Sequence, residues 1–312
     1  MADVLWTGEI SFIKKIILNI NGIIAWISGN MKNTEKMKDE IKAAYNGDKT
    51  SDVENYDAYG WDHYSKVADM LLEDLEIQGK YILDLGCGTG ISTLKLLERN
   101  AVKVCALDIS EYMVGVLKKK IEGVGYPSNV VDLGAADAER LPFDDSVFDV
   151  VISSMVLGMV PNQFKMMREM ARVLKPGGII AVSTHGPTHY AELSDAVFAA
   201  IPKRYMLGRR ILYWPRGIDR MQKFFQTSGL CDISIKQSVW QDSFEDGHEM
   251  YEFIASSTAN FYASFVPDQV IRPVLDGIRN YFVKQKIQKI TLDVVFAYGK
   301  KADGLGLAKI SK

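Results

Sequence analysis

Ile10, Ile13, Ile17, Ile20, Ile24 and Ile27 recur at a 3-4-3-4-3 spacing, which lays them along one stripe of a helix. Phe12, Ile16 and Ile23 widen that stripe, while Lys14, Lys15, Asn21 and Ser28 fall elsewhere on the wheel. Such a helix suits packing on the protein's own core, on a second copy, or in a membrane interface where the lysines meet head groups. It does not suit a spanning segment: Ile16 to Ile27 falls short of about 20 residues and contains Asn19, Asn21 and Gly22. A secretory leader is not expected either, because Asp3 and Glu9 spoil a positive start and no A-x-A site follows. Residues 33–64 are polar and then aromatic, which predicts a linker running into a lid.

From Lys80 onward the pattern alternates between strand and helix. "YILDLG", "VKVCALDIS", "FDVVISSMV" and "GIIAVSTHG" are apolar runs of strand length, and a short strand lies in "NVVDLGAADAERLPF". Between them, "ISTLKLLERN", "EYMVGVLKKKIEGVG" and "QFKMMREMARVL" carry helical periodicity. Apolar strands separated by helices predict an α/β fold with a parallel sheet covered on both faces. After Gly186 the alternation loosens. An aromatic and arginine-bearing insertion is followed by a helix stopped at Gly229 ("IDRMQKFFQTSGL") and a strand ("DISIKQSVW"). Then come a helical stretch and a closing strand, "ITLDVVFAYGKK". The expected organisation is an amphipathic helix over 1–32, a lid segment over 33–79 and a ligand-binding core over 80–186. An insertion follows over 187–218, then the end of the core over 219–300 with a helical cap at 242–289, and a tail over 301–312.

Composition narrows the partners. The chain has 312 residues, a net charge of −2 and a pI near 6.1, so nothing draws the whole molecule to nucleic acid. Cys87, Cys105 and Cys231 form no C-x-x-C pair, and the four histidines show no H-E-x-x-H spacing. A reducing, cytoplasmic setting is therefore expected, without a zinc site or disulfide framework. A peripheral membrane contact or a homo-oligomer contact would run through residues 10–27.

The stretch "ILDLGCGTG" carries the chemistry. Glycines at 86, 88 and 90 directly after a buried strand let the backbone turn tightly and touch a ligand. The carboxyl ends of parallel strands, at the point where the strand order reverses, are where nucleotide-like ligands sit. Asp108, 18 residues beyond Gly90, stands near the offset of ribose-binding acids. A Walker A loop would require Gly-Lys-Ser/Thr, which is absent. NAD and S-adenosylmethionine both remain compatible with these features alone.

Four ordered motifs carry a resemblance. "ILDLGCGTG", "ALDISEYM", "GAADAERLPFDDSVFDVVISS" and "EMARVLKPGG" together resemble the class I S-adenosylmethionine-dependent methyltransferases, in the small-molecule group that includes quinone-biosynthesis C-methyltransferases. The resemblance covers residues 56–185 well and the final strands more loosely. It implies a Rossmann-like doubly wound sheet, mostly parallel with an antiparallel C-terminal strand, and S-adenosylmethionine as cofactor. It places Asp84 near the cofactor's methionine end, with Gly86, Cys87, Gly88 and Gly90 as backbone contacts. Asp108 would bind the ribose, and Ile109 and Met113 would pack on the adenine. Asp137 would accept from the adenine amino group, the Ala138 backbone would touch the ring, and Ser153, just past the fourth strand, would face the methionine part. In "YDAYGWDHY", Tyr56, Tyr59 and Tyr64 would wall the methyl donor from water.

Methyl transfer from a sulfonium needs positioning and exclusion of water more than acid–base help. A base is required only for an acceptor that arrives protonated, and His185, with His189 nearby, is the candidate. Aromatic side chains in 187–218 and 242–289, among them Tyr190, Phe198, Tyr251 and Phe253, suit a small apolar or aromatic acceptor. Three other readings stand beside this one. An RNA or protein methyltransferase is kept open by Lys203, Arg204, Arg209, Arg210 and Arg216, although "SSMV" replaces the Asn/Asp-Pro-Pro-aromatic loop of amino-group methylases. An adapter that binds the cofactor without turnover is the second, and an NAD-dependent oxidoreductase the third.

Overall fold

The computed structural model describes residues 34–46, 56–202, 218–254 and 268–303. The isoleucine stripe, the basic cluster at 203–216 and the aromatic residues Phe261, Tyr262 and Phe265 lie outside the described residues. Two compact units are present. The first comprises His63–Thr184, Gly217–Gln237 and Val295–Lys312, and the second Met1–Asp62, His185–Arg216 and Ser238–Val294.

The described chain opens with helices α1 (Thr34–Tyr45) and α2 (Tyr56–Leu72). The alternating core follows: β1 (Tyr81–Leu85), α3 (Ile91–Glu98), β2 (Lys103–Asp108), α4 (Glu111–Val124), β3 (Val131–Ala135) and β4 (Phe148–Ser154). A single 3₁₀ turn (Leu157–Met159), α5 (Gln163–Val173) and β5 (Leu174–His185) come next. After α6 (Ala191–Ala200), α7 (Ile218–Thr227) precedes β6 (Leu230–Ser243). Then α8 (Gly247–Ile254), α9 (Asp268–Gln285) and β7 (Lys289–Lys301) complete the described order.

The strands form one seven-stranded sheet in the order β3-β2-β1-β4-β5-β7-β6. It is mostly parallel with an antiparallel edge, the expected α/β class. β1 pairs in parallel with β2 on one side and β4 on the other, so the order reverses between β1 and β4. That is the switch point at which an open α/β sheet leaves a crevice beyond its strand ends.

The apolar strands are apolar because both faces are covered. Leu83, Leu85, Cys105, Leu107, Phe148 and Val151 join Met166, Met167 and Met170 of α5 and Phe224 and Phe225 of α7 in one buried cluster. Local chemistry bounds two of the helices. The Ser110 hydroxyl accepts from the Met113 N–H at the start of α4, and Gly125, at φ 82°, closes its end. Asn162 caps α5 in the same way through Lys165.

Two expectations change. Residues 33–64, which read as a linker, contain α1 and the start of α2. Met37 and Ile41 lie one turn apart, and both are buried, as are Val67, Ala68, Leu71 and Leu72 at helical spacing in α2. The "KPGG" turn does not precede the fifth strand but lies inside it. β5 begins at Leu174, Gly177 takes φ 76°, and the register with β4 shifts between Phe148 and Val150, the pattern of a bulge.

In the second unit α6 packs on α9, where a Cβ on Gly277 would stand 2.9 Å from the Cβ of Ala200. α8 packs on α9 through Gly247, against the backbone of Phe282. The Glu192 carboxylate accepts from the N–H and hydroxyl of Thr291 at 2.9 and 2.7 Å. Among the described residues no helix is long and apolar enough to cross a membrane.

Candidate cofactor-binding site

Asp84 sits in β1 between Leu83 and Leu85, in register with Ala106 of β2 and Ile152 of β4. Its carboxylate is buried. Oδ2 accepts from the Thr93 hydroxyl at 2.6 Å, while Oδ1 is buried with no hydrogen-bond partner. Burial, opposed by the Thr93 hydrogen bond and reinforced by the nearby charge of Asp108, pushes the carboxyl up to about 7. A buried acid with one unpartnered oxygen is a candidate acceptor for a ligand donor.

The glycine turn follows. The N–H groups of Gly86 and Cys87 both donate to the Leu107 carbonyl, at 2.7 and 3.0 Å. This pulls the turn onto the end of β2. Gly86 takes φ 78°, and a Cβ there would lie 2.2 Å from Cγ2 of Val156. Gly88 takes φ 53° and faces open space. Gly90, at φ 96°, opens α3 against Leu117. Lys120 of α4 fastens the turn by donating to the Thr89 carbonyl at 2.9 Å.

Asp108 ends β2. Oδ2 accepts from the Gly88 N–H and Oδ1 from the Ser110 N–H, each at 2.9 Å. Burial nevertheless raises its carboxyl above the usual range. Beyond it Ile109 is half-buried and Met113 fully buried. Asp137, half-buried, accepts from the Glu139 N–H at 2.9 Å and so shapes the turn that presents Ala138. Cys87 is buried, and burial together with the charges of Asp108 and Asp84 drives its thiol upward, away from thiolate chemistry.

Asp84, the glycines, Cys87, Asp108, Ile109, Met113, Asp137, Ala138, Ser153 and Tyr64 all belong to the first unit, and hydrogen bonds tie Gly86 and Cys87 to the end of β2, Gly88 to Asp108, and Ser153 to the end of β1. Ser153 lies within β4, not past it, and its hydroxyl donates to the Leu85 carbonyl at 2.8 Å. Tyr64 is half-buried, edge-on to His63 with 5.2 Å between ring centroids. Tyr56 opens α2, and its side chain, like that of Tyr59, lies outside the description. His185 belongs to the second unit, where its ring stands edge-on to His189 at 4.5 Å. The His189 Nδ1 lies 2.8 Å from the carbonyl oxygen and 3.2 Å from the nitrogen of Asp293. The Asp293 carboxylate accepts from the N–H and hydroxyl of Thr188.

Sequence reading passed over Thr93 and Lys120. The signal for Thr93 was present: a hydroxyl residue in the first turn of the helix behind the glycines, where it reaches back to the strand.

Comparison with known proteins follows the same residues. The methyltransferase-domain family matches residues 83–182. The demethylmenaquinone methyltransferase of Shouchella clausii is 32% identical over 183 residues, covering 53% of this chain and 77% of that protein. The biotin biosynthesis bifunctional protein BioHC of Teredinibacter turnerae is 38% identical over 124 residues, 38% of this chain but only 22% of the relative's length. Among solved structures, the YcgJ protein of Bacillus subtilis superposes with a TM-score of 0.56 at 18% identity, covering 78% of this chain and all of that one. At that identity the likeness speaks for the fold alone. The buried Asp84 with its unpartnered oxygen, the open backbone at Gly88 and the anchored Asp108 fit a ligand with an ammonium and a ribose. The chain belongs to the methyltransferase-domain family, within the class I S-adenosylmethionine-dependent methyltransferases, and its cofactor is S-adenosylmethionine.

Proposed function

We propose that this chain methylates a small, largely apolar or aromatic acceptor. The observation that carries the reading is the buried carboxylate of Asp84, one oxygen unpartnered, beside a glycine turn tied to Asp108. S-adenosylmethionine, when bound, supplies a methyl already activated on a sulfonium, so no nucleophile on the protein is required. The protein's own work is then placement. Asp108 holds the ribose hydroxyls with the lone pairs left over from Gly88 and Ser110. Gly86, Cys87, Gly88 and Gly90 offer backbone at close approach. Ile109 and Met113 cover the adenine, whose amino group meets Asp137 while the ring meets Ala138. Asp84 takes the ammonium, with Ser153 keeping the neighbouring strand end in place. Tyr64 excludes water.

Similarity to demethylmenaquinone methyltransferases over 77% of one such enzyme supports an aromatic, apolar acceptor. Where that acceptor carries an acidic hydroxyl, His185 serves as the base, its ring held by His189, which is itself pinned to the Asp293 backbone.

The test is transfer of labelled methyl from S-adenosylmethionine to a panel of prenylated hydroquinones, phenols, RNA and peptides. Transfer to hydroquinones or phenols supports the reading, and transfer confined to RNA or peptides overturns it. His185→Gln should lower turnover by about 100-fold or more with affinity for S-adenosylhomocysteine unchanged. Unchanged turnover would remove His185 from the chemistry.

A further inference from the structure

Thr93 is fully buried in the first turn of α3, nine residues after Asp84. Its hydroxyl donates to Oδ2 of Asp84 at 2.6 Å, the short length of a charge-assisted O–H···O⁻ bond. Its backbone N–H also bonds that carboxylate. The other oxygen, Oδ1, is buried without a partner. One residue therefore fixes both the rotation of the carboxylate and which oxygen is left over.

We infer that Thr93 is a positioning residue for the cofactor: it holds Oδ2 so that Oδ1 is the acceptor for the cofactor's ammonium, and it keeps Asp84 in the anionic form that this contact needs. The inference rests on the cofactor reading above and deepens it.

The surroundings explain why such help is required. Asp108, at the end of β2, is a second, half-buried acid whose charge opposes ionisation of Asp84. The thiols of Cys87 in the turn and Cys105 in β2 stand near, both pushed up by burial and so uncharged. Apolar Ala106 and Ile152 flank Asp84 in the sheet. The ammonium of Lys120, facing the turn from α4, is bonded to the Thr89 carbonyl. Desolvation and Asp108 raise the carboxyl to about 7, and the Thr93 bond is the largest opposing influence. A bound ammonium would shift the balance further toward the anion.

The experiment is calorimetric titration of the full chain with S-adenosylhomocysteine between about pH 5.5 and 8.5. 5′-Methylthioadenosine, which lacks the ammonium, serves as the control ligand. Wild-type affinity for S-adenosylhomocysteine should rise up to about tenfold per unit below the midpoint and level off above it, while affinity for the control stays flat. Thr93→Val should move the midpoint up by about one unit, Thr93→Ser should restore it, and Asp84→Asn should give weak, pH-independent binding. A flat wild-type profile overturns the inference without need of any variant. So does equal pH dependence for the control ligand, which would assign the titration to Asp108. A Thr93→Val profile parallel to wild type, merely weaker, also overturns it. Absence of saturable binding at every pH would instead sink the cofactor reading itself.

Discussion

The backbone N–H of Gly88 donates to Oδ2 of Asp108 at 2.9 Å, across 20 residues of sequence. The acid proposed to hold the ribose is thus also the clamp on the glycine turn. Asp108→Asn turns an amide N–H₂ toward one of two backbone donors, Gly88 or Ser110, and so breaks a bond as well as removing charge. Affinity for S-adenosylhomocysteine should fall at least about tenfold for Asn and about 100-fold for Ala, measured by calorimetry. An Asn variant that binds like wild type would contradict this.

Gly86 and Gly88 both lie in the left-handed region, but only Gly86 is crowded, by Val156. Gly88→Ala should lose about 1 kcal/mol from backbone conformation alone. Gly86→Ala should lose clearly more, and the double variant Gly86→Ala, Val156→Ala should recover part of the difference. Chemical denaturation of the three variants tests this, and additive losses would refute the proposed contact.

Asp84 should trade stability for binding. Its folded-state carboxyl is raised from the ordinary value to about 7. A carboxyl raised in the fold contributes stability that is complete below the unfolded value and is lost as pH rises through the folded one. The ligand-free protein should therefore lose thermal stability between about pH 4 and 7, and Asp84→Asn should flatten that loss and melt higher at pH 8. An Asn variant that melts lower than wild type at pH 8 would show the carboxylate to be structural.

At α5, Arg172 donates to both oxygens of Glu169 at 2.8 and 2.9 Å and to the Phe143 and Leu141 carbonyls at 2.7 and 3.1 Å. The guanidinium bond holds the Glu169 carboxyl below its usual range. A depressed carboxyl contributes stability above its unfolded value and loses it as pH falls through the folded one. Arg172→Lys cannot reproduce the fork and should destabilise by about 1–3 kcal/mol near neutrality. That difference should shrink below about pH 4, and a pH-independent difference would assign it to the carbonyl contacts instead.

Much of the first unit was legible because its strands are buried on both faces, so β1, β2, β4 and β5 appear as apolar runs. Asp108 and the glycines were legible because they lie at a strand end. Helix α1 was not: it buries little beyond Met37, Ile41 and the stem of Lys38, too thin a stripe to stand out from a polar segment. The second unit was harder still, since Thr188 meets Asp293 across 105 residues and Glu192 meets Thr291 across 99, and no local pattern records such pairs. The Thr93–Asp84 bond is only nine residues long, yet it becomes meaningful only once strand, turn and helix fold back on one another.

The strand order has a consequence for how the chain is made. β6 lies at the rim of the sheet, and its neighbour is β7, which is synthesised later. On a ribosome delivering about 5–20 residues per second, β6 emerges seconds before the strand it must pair with. Its charged, half-exposed sequence, with Asp232, Lys236 and Asp242 along it, is what an edge requires if it is to wait in solution without pairing with another nascent chain.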